Sequence, residues 1–459
     1  MRIERDALGR MEVPDGALWG AQTQRAVENF RISGWHWERE FIAALGHVKL
    51  ACLRANARLG LLPETFVPAL EQACLEVIAG QWDEQFPVDV FQTGSGTSTN
   101  MNMNEVLANR AAQLLGLEPG HKTVHPNDHV NLSQSSNDVF PTAIHVAVTL
   151  ALRDRLIPAL SALRAVLEEK ARAFDGIVKT GRTHLQDAAP IRLGQEFSGY
   201  AAQAAYGVER AQRALAALAE VPLGGTAVGT GINAPAGFAE LALEQLNAAL
   251  GTHFRRARNA FEANATRDAL VEVSGLLKTI AVSLSKLAND VRWLGSGPRN
   301  GLGELRLPVV QPGSSIMPGK ANPVMAEALL MVCAQVIGYD AAVTLGGLGS
   351  VFELNMMQPL LAYNLLTGIR LLSQGVEAFT ERCLRGLEAD EATCRAGLER
   401  NLTLATALVP YIGYDRAAAI SQEAERSGRT VREVALEQGV LTPDALEAIL
   451  DPYRLTEQE

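Results

Sequence analysis

Four long stretches of the chain have helical periodicity and little charge on their faces: residues 146–174, 195–219, 266–294 and 323–344. Helices of this kind need apolar partners along their whole length. Hydrophobic residues make up 47% of the chain and aromatic residues only 5%, so the core is built from Ala, Leu and Val, which suits close helix packing. The sequence therefore predicts a mainly α fold whose long helices need partners beyond one chain.

Bulk composition narrows the class of protein. The 459 residues are enough for about two to four domains. A net charge of -10 argues against a nucleic-acid or anionic-membrane surface. The N-terminus has no apolar leader, and the apolar run from Val324 carries Glu327 and Asp340, which favours a buried helix of an oligomer core over a membrane span. The cysteines are odd in number and lack Cys-x-x-Cys spacing, which indicates reduced thiols in a cytosol-like compartment: Cys52, Cys74, Cys333, Cys383 and Cys394.

One segment between helices, residues 311–323, concentrates polar chemistry. It reads Gln-Pro-Gly-Ser-Ser-Ile-Met-Pro-Gly-Lys-Ala-Asn-Pro, and its two Gly and three Pro predict a loop. The apolar run that follows predicts that the loop ends at a helix N-terminus, where free N–H groups favour an anion. The chain has only seven lysines, so Lys320 inside this loop suggests a site that needs a compact ammonium. Taken alone, the segment reads equally well as a structural loop with one solvated lysine.

Two further polar segments interrupt the apolar pattern. Residues 92–105 contain Gly94 and Gly96 among hydroxyl and amide side chains; alone they read as a Ser/Thr-rich N-cap, with a helix that starts near Asn104. Residues 122–138 are dense in hydroxyl, amide and imidazole groups, which are costly to order unless they bind something. The spacing of His125, Asp128 and His129 allows a metal site, but Pro126 and the lack of a distant ligand set disfavour it.

Two more breaks separate the long helices. Residues 179–190 form a polar interruption that contains His184. Residues 223–233 hold four Gly within eight positions, but no strand precedes them and no Gly-Lys-Ser/Thr follows, so they are neither a P-loop nor a Rossmann turn. No strand-rich region and no internal repeat stand out in the sequence. The polar segments lie far apart in the chain, each at a helix end, which predicts a site assembled from helix ends.

The loop pattern Gly-Ser-Ser-x-Met-Pro-x-Lys-x-Asn is similar to the signature of the fumarase/aspartase superfamily, and the chain resembles its class II fumarase branch nearly end to end. Residues 18–30 resemble the N-terminal segment of that branch. The chain departs from it at Leu132, where lysine is common, and at residues 234–237, where His-Pro-Gly is expected. The resemblance implies a fumarase/aspartase-like fold with a mixed N-terminal domain (1–138), a central long-helix bundle (139–402) and a small C-terminal helical domain (403–459).

The resemblance also implies roles for individual residues. Ser314 is the expected carbon base, His184 handles the hydroxyl or water, Glu327 is the carboxylate partner of the histidine, and Lys320 stabilises the charged intermediate. The expected substrate-binding residues are Ser95, Gly96, Thr97, Ser135, Ser136, Asn137, Thr183, Ser315 and Asn322. A second anion site is expected at Lys122, His125, Asn127 and Asp128. No metal and no cofactor is implied.

The activity implied is the reversible hydration of fumarate to L-malate through an aci-carboxylate, a step of the tricarboxylic acid cycle, by a cytoplasmic homotetramer whose sites draw on three subunits. Two alternatives remain: an aspartate ammonia-lyase of the same superfamily, and a non-catalytic structural protein on the same scaffold. His184, Ser136 and Gly319 favour the hydratase over the ammonia-lyase. The presence of the whole expected catalytic set argues against the structural alternative.

Overall fold

A computed structural model describes residues 1–457, which form two compact units. Unit 1 comprises Met1–Ile157, Arg210–Ala281 and Ala334–Leu372; unit 2 comprises Pro158–Glu209, Val282–Cys333 and the chain from Ser373 onward. The predicted mainly α fold is confirmed. The division into domains at residues 138 and 402 stays a prediction.

Helices dominate the described chain. The α-helices are α1 Ala21–Asn29, α2 Arg39–Arg58, α3 Val67–Ile78, α4 Thr97–Leu114, α5 Ser136–Ala151, α6 Ile157–Ala173, α7 Leu193–Ala217, α8 Phe238–Leu250, α9 Ala260–Ala265, α10 Asp268–Leu294, α11 Val324–Gly347, α12 Gln358–Phe379, α13 Glu391–Glu399, α14 Val409–Ile412, α15 Tyr414–Ser427, α16 Val431–Glu437 and α17 Pro443–Ile449. Short 3₁₀ turns cover Asp83–Gln85, Leu402–Leu408 and Arg454–Thr456, and π turns cover Pro126–Val130, Leu152–Leu156 and Thr380–Leu384.

Short strands form two-stranded sheets. The strands are β1 Arg2–Asp6, β2 Gly9–Val13, β3 Val178–Thr183, β4 Gln186–Arg192, β5 Glu220–Val221, β6 Arg255–Arg256, β7 Leu305–Arg306, β8 Ser350–Val351, β9 Leu354–Asn355 and β10 Glu388–Ala389. The pairs β1–β2, β3–β4, β8–β9 and β7–β10 are antiparallel, and β5–β6 is parallel.

The long helical segments lie where their periodicity predicted them, but two helix starts were wrong. The helix expected near Asn104 begins at Thr97, because Gly96 takes the left-handed conformation at its N-cap. The helix expected from Val146 begins ten residues earlier, at Ser136. The π turn at Leu152–Leu156 lies just before Pro158. Pro158 has no N–H to donate to the turn behind it, which favours a change of hydrogen-bond pattern there.

The segment 179–190 is the largest departure from the predicted helical organisation. It was expected to be a polar interruption, and it is an antiparallel hairpin of β3 and β4. Its strands are short and mostly polar on the exposed side, so they lack the alternating apolar pattern that marks a half-buried strand. Thr183 pairs with Gln186, which leaves His184 and Leu185 as a two-residue turn.

Each unit has its own apolar core. In unit 1, α2 packs against α3, α5 and α8, and the rings of Trp37, Phe41 and Phe140 contact one another in its interior. In unit 2, the C-terminal helices enclose a small core around Leu408, Ile420 and Val434, which are fully buried. The five cysteines are all buried and unpaired.

The apolar helix α11 is long and apolar enough to cross a membrane, judged by length and composition alone. Within one chain only 28% of its most apolar 18-residue window is buried. Met331 is 68% exposed and Leu345 is 61% exposed. Exposed apolar surface of this extent marks an interaction site.

Candidate active site

Three hydroxyl groups in unit 1 form a continuous hydrogen-bonded chain, here called the hydroxyl cluster: Ser95, Thr97 and Ser136. The Oγ1 atom of Thr97 lies 2.7 Å from Ser95 Oγ and 2.6 Å from Ser136 Oγ. Thr97 is the first residue of α4 and Ser136 the first residue of α5, so two helix N-termini meet at the cluster. Helix N-termini present free N–H groups and a positive dipole end, so this corner favours an anion.

Two glycines allow the backbone to reach this position. Gly96 has φ +73°, and a Cβ there would lie 2.3 Å from the ring of Phe140. A Cβ on Gly94 would lie 1.8 Å from the carbonyl oxygen of Met356. Neither position accommodates a side chain without moving backbone or a packed ring, so the glycines are required by packing as well as by conformation.

Hydrogen bonds to the Asp138 carboxylate fix the Ser135–Asn137 turn. Ser135 is the N-cap of α5, and its own N–H donates to Asp138 Oδ1 at 3.0 Å, which completes a capping box. Asp138 Oδ2 accepts the N–H groups of Gly224 and Thr226, both at 3.0 Å. Burial raises the pKa of Asp138 to about 6, against the opposing effect of these N–H donors. The glycine-rich segment 223–233 therefore serves to anchor this turn.

Asn137, the last residue of the turn, is fixed through its side chain. Its Nδ2 donates to the carbonyl oxygen of Ala227 at 2.9 Å. The structure thus brings together Ser95, Thr97 and Ser136, with Asn137 next to them in sequence and oriented by the glycine-rich segment.

The residues expected to form a second anion site have internal partners within unit 1. Lys122 Nζ donates to the carbonyl oxygen of Arg5 at 2.5 Å. His125 caps the π turn that starts at Pro126: its Nδ1 accepts the N–H groups of Asn127 at 3.2 Å and Asp128 at 3.1 Å. The Asp128 carboxylate lies 3.4 Å from the same nitrogen. The structure brings His125, Asn127 and Asp128 together, and their role in binding an anion stays a prediction.

His184 in unit 2 lies at the tip of the β3–β4 hairpin in a strained conformation. Its φ is +56° and that of Leu185 is +59°. Both residues of a two-residue hairpin turn with this twist need positive φ, a geometry that usually selects Asn-Gly. A non-glycine residue held there costs about 1–3 kcal/mol, and such strain is concentrated at functional sites. The turn places the imidazole at an exposed tip.

A buried network of charges fixes the base of this hairpin. Lys179, 1% exposed, donates to Glu196 at 2.9 Å and lies 3.2 Å from Glu304. Arg182 binds the two oxygens of Glu304 through two parallel hydrogen bonds of 2.8 and 3.0 Å. Bidentate pairs of this kind restrict geometry strongly. The rigid base and the strained tip together hold His184 and its neighbour Thr183 in a defined direction.

The loop 311–323 is irregular and ends at the N-terminus of α11, as predicted. Ser314 Oγ accepts the N–H groups of Ile316 at 3.2 Å and Met317 at 3.0 Å. Asn322 Nδ2 donates to the carbonyl oxygen of Gly313 at 2.6 Å. Donors aimed at the serine oxygen favour its negatively charged form.

Most side chains of this loop are exposed within unit 2. Lys320 and Ser315 are exposed, and the Lys320 ammonium has no hydrogen-bond or ion-pair partner in the part of the chain that the structure describes. Ser314 and Lys320 line one open cavity of about 490 Å³. Glu327, one turn into α11, is exposed as well. Within residues 1–457 of a single chain, no hydrogen bond or ion pair joins it to His184, so their pairing stays a prediction.

Comparison with known proteins places this arrangement in a family. Residues 9–338 match the family model described as Lyase, and residues 404–457 match the model described as Fumarase C C-terminus. A class II fumarate hydratase from Ralstonia nicotianae is 53% identical over 99% of each chain. The chain belongs to the class II fumarate hydratase family. Relatives about half identical over nearly the full length are fumarate hydratases, and this chain shares that activity.

Solved structures agree with this assignment. A structure described as a fumarate lyase:delta crystallin from Brucella melitensis is 49% identical, covers 100% of both chains and superposes with a TM-score of 0.96. The class II fumarase from Schistosoma mansoni is 38% identical, covers 99% of this chain and 98% of its own, and also gives a TM-score of 0.96. The fumarase architecture therefore applies to both units.

Sequence reasoning missed residues that support the candidate site. Asp138 was readable from the Ser-x-x-Asp spacing of a capping box before an apolar helix. Glu304 and Lys179 carried no local signal, because their pairing joins positions far apart in the chain. The hairpin turn at His184 carried none of the Asn-Gly or Asp-Gly signals that identify such turns.

Proposed function

We propose that this fumarate hydratase adds water to fumarate, and removes it from L-malate, at a site where the hydroxyl cluster binds one carboxylate and the loop 311–323 stabilises the other. The observation that carries this proposal is the hydrogen-bonded chain Ser95–Thr97–Ser136 at two helix N-termini, because it forms a polar receptor for a carboxylate before any substrate arrives. Preorganised donors avoid the reorganisation that water would require.

The difficult step of the reaction is the stabilisation of charge on the second carboxylate of the substrate. Removing the proton from carbon 3 of malate adds negative charge to a carboxylate that is already charged, which gives an aci-carboxylate. Lys320, Asn322 and the N–H groups at the start of α11 are the donors that oppose this charge. One donor aimed at developing charge contributes about 3–4 kcal/mol in a dry site. No cofactor is needed for this reaction.

The proton transfers fall to Ser314 and His184. Ser314 takes the carbon proton, and the two N–H groups that its Oγ accepts support the alkoxide form that this role requires. His184 acts on the hydroxyl or water from the other side, and Glu327 fixes its tautomer and raises its basicity. Ser135, Asn137, Thr183, Ser315 and Gly96 complete substrate binding, while Lys122, His125, Asn127 and Asp128 form a separate anion site.

The activity test is direct. Absorbance of the fumarate double bond should appear after L-malate is added and should not appear after L-aspartate is added. Release of ammonia from aspartate with no turnover of malate would instead assign the ammonia-lyase activity. Absence of turnover of both substrates by a folded protein would favour a structural role on this scaffold.

We further propose a cytoplasmic homotetramer of the tricarboxylic acid cycle in which each site is shared among subunits. Within one chain the exposed apolar side chains of α11, among them Met331 and Leu345, and the exposed catalytic groups Lys320 and Glu327 support this assembly. Light scattering should give four chains at micromolar concentration; a monomer there would contradict the proposal.

Sharing between subunits has a sharper test. The variants His184→Asn and Ser136→Ala should each be poorly active, and co-expression of the two should restore part of the activity. Hybrid tetramers then contain sites that draw an intact His184 from one subunit and an intact Ser136 from another. A site built wholly from one chain would give no recovery, and that result would exclude the shared site while leaving the hydratase activity in place.

A further inference from the structure

Lys49 is a buried cation with an unusual set of partners. It lies on α2 in unit 1 and is 1% exposed. Its ammonium donates to two amide oxygens, Asn131 Oδ1 at 3.0 Å and Gln134 Oε1 at 2.9 Å. Within residues 1–457, no carboxylate lies within ion-pair distance of it. A buried charge held only by neutral groups is costly, so its retention calls for a reason beyond stability.

Asn131, the first amide that Lys49 contacts, makes several further hydrogen bonds. Asn131 Oδ1 also accepts from Asn100 Nδ2 and Asn104 Nδ2 of α4, both at 3.1 Å. Asn131 Nδ2 donates back to the main-chain oxygen of Gln134 at 3.3 Å. Three donors therefore converge on one oxygen, with the ammonium the only charged donor among them.

Gln134, the second amide, connects Lys49 to the proposed substrate-binding turn. Gln134 Nε2 donates to the carbonyl oxygens of Val130 and Leu132, both at 3.0 Å. Gln134 immediately precedes Ser135, the N-cap of α5. Lys49 thus fixes the segment 130–134 that leads directly into the Ser135–Asn137 turn.

An opposite charge holds the other side of that turn. Asp138, fully buried, binds the N–H groups of Ser135, Gly224 and Thr226. The ammonium of Lys49 lowers the pKa of Asp138, and Asp138 in turn raises that of Lys49, so the two buried charges interact through the intervening turn. In the chain, the Ser135–Asn137 turn is preceded by the segment that Lys49 holds and followed by Asp138, which bears the opposite charge.

We infer that Lys49 is a positioning residue for dicarboxylate binding: as a charged ammonium it holds the segment 130–134 that presents Ser135–Asn137, and it supplies positive potential behind that turn. The inference rests on the proposed function, since it assigns Lys49 to the same carboxylate-binding turn. It concerns a residue that does not touch substrate, so its effect falls on binding more than on the chemical step.

A positioning role of this kind makes binding depend on the charge of Lys49. Burial lowers the pKa of Lys49 to about 8. The titratable groups that face it are Cys52 on α2, Cys74 on α3 and Asp138 on α5. Burial raises the pKa of Cys74 to about 12 and that of Cys52 further, so both thiols stay neutral in this range. As pH rises through 8 the ammonium loses its charge, and affinity for a dianion should fall.

The test measures KM for fumarate and, independently, the dissociation constant of succinate, a dianion that is not turned over, from pH 7 to 9.5. Both constants should rise about tenfold across this range in the unmodified protein, which corresponds to the loss of about 1.4 kcal/mol of interaction with the dianion. In Lys49→Met both should already be about tenfold higher at pH 7 and should stay flat, with kcat changed less than KM. The matched control is Lys286→Gln, which removes a lysine 58% exposed and should reproduce the unmodified profile.

A second variant covers the case in which Lys49→Met fails to fold. Gln134→Glu places a carboxylate against the ammonium, which favours its charged form, so the midpoint of both profiles should move to higher pH. A midpoint that does not move in Gln134→Glu, a flat profile in the unmodified protein, or an unchanged profile in Lys49→Met would each overturn the inference.

The same measurements separate this inference from the proposed function. A protein that hydrates fumarate but binds succinate equally at all these pH values would retain the function and lose the role of Lys49. A protein that binds succinate with the expected pH dependence but leaves fumarate unchanged would retain the role of Lys49 and lose the hydratase reaction.

Discussion

The two units hold their candidate site residues in opposite ways. In unit 1 the hydroxyl cluster is partly buried, and its groups are hydrogen-bonded to one another at helix N-termini. In unit 2 the residues assigned to proton transfer and charge stabilisation, His184 and Lys320, are exposed on a hairpin tip and an irregular loop. The groups assigned to substrate binding are thus preformed within one chain, whereas the groups assigned to the reaction are exposed.

This difference has a physical reason. A carboxylate receptor is made of neutral hydroxyls and backbone N–H groups, which can satisfy one another at low cost while they wait for substrate. An ammonium aimed at developing charge gains its effect only where water is excluded, and burying an ammonium that has no partner carries a large penalty. The assembly proposed above resolves that conflict, because in it each chain folds with the charge exposed and neighbouring subunits then bury it.

The largest effect is expected for His184, which lies in the β3–β4 hairpin of unit 2. His184→Asn should lower kcat about 10²–10⁴-fold with little change in KM, because it removes a proton-transfer group. Asparagine tolerates positive φ, so the turn should keep its conformation and the tetramer should stay intact. Steady-state kinetics and light scattering check both points. His253→Asn, at an exposed histidine outside the site, is the control. A kcat close to that of the unmodified enzyme would remove His184 from the mechanism.

Lys320 should give the next largest effect. Lys320→Met should lower kcat about 10²–10³-fold while fumarate binding weakens only modestly, since the stabilisation lies in the transition state. Lys320→Arg should not restore the rate, because a wide planar guanidinium does not present the compact point charge of an ammonium to the carboxylate. Lys286→Met, at another exposed lysine, should match the unmodified enzyme. A loss confined to KM would show that Lys320 only attracts the dianion.

The hydroxyl cluster should respond with the opposite pattern. Ser136→Ala removes one hydroxyl from the chain and leaves Thr97 with one partner instead of two. We expect KM to rise about 10–100-fold, as for the loss of a hydrogen bond to a charged group, and kcat to fall less. Initial rates over a wide range of fumarate concentration measure the split. A fall in kcat alone would place Ser136 among the reacting groups and would break the distinction between the two units.

Sequence reasoning recovered the parts of this molecule that depend on local pattern. Long apolar periodicity located the helices, and Gly and Pro located the loop 311–323. The hairpin was missed because its polar strands and its His184-Leu185 turn break the patterns by which hairpins are recognised. Tertiary packing also decided the start of α4, since Gly96 adopts positive φ against Phe140 and the helix begins at once.

For the site, sequence reasoning predicted which segments carry the chemistry but not how the structure holds them. The meeting of Thr97 and Ser136 follows from α4 and α5 packing in unit 1, which no local pattern reports. Lys49 was read only as one of seven lysines, because a buried cation in an apolar helix looks the same in sequence as a solvated one. Charge pairs across long separations, such as Arg182 with Glu304, are likewise invisible until the chain is folded.

The smallest effects are expected when one glycine is replaced by alanine in the loop 311–323 and one near the hydroxyl cluster. Gly319 in the loop has φ +79° and open space where a Cβ would lie, whereas a Cβ on Gly96 would lie 2.3 Å from the ring of Phe140. Gly319→Ala should therefore destabilise the protein by only about 1 kcal/mol, the cost of a left-handed alanine. Gly96→Ala should cost about 2–5 kcal/mol, because ring displacement adds to that strain.

Thermal melting of the two alanine variants, measured at one protein concentration, checks this order. The reaction rate of Gly319→Ala is a second measurement. A variant that melts like the unmodified protein but has lost its rate would show that a neighbouring subunit approaches Gly319 closely in the assembled site. A variant that keeps its rate would show that the space remains open there. Equal melting of the Gly96 and Gly319 variants would contradict the contrast between a packed binding region and an open reacting region.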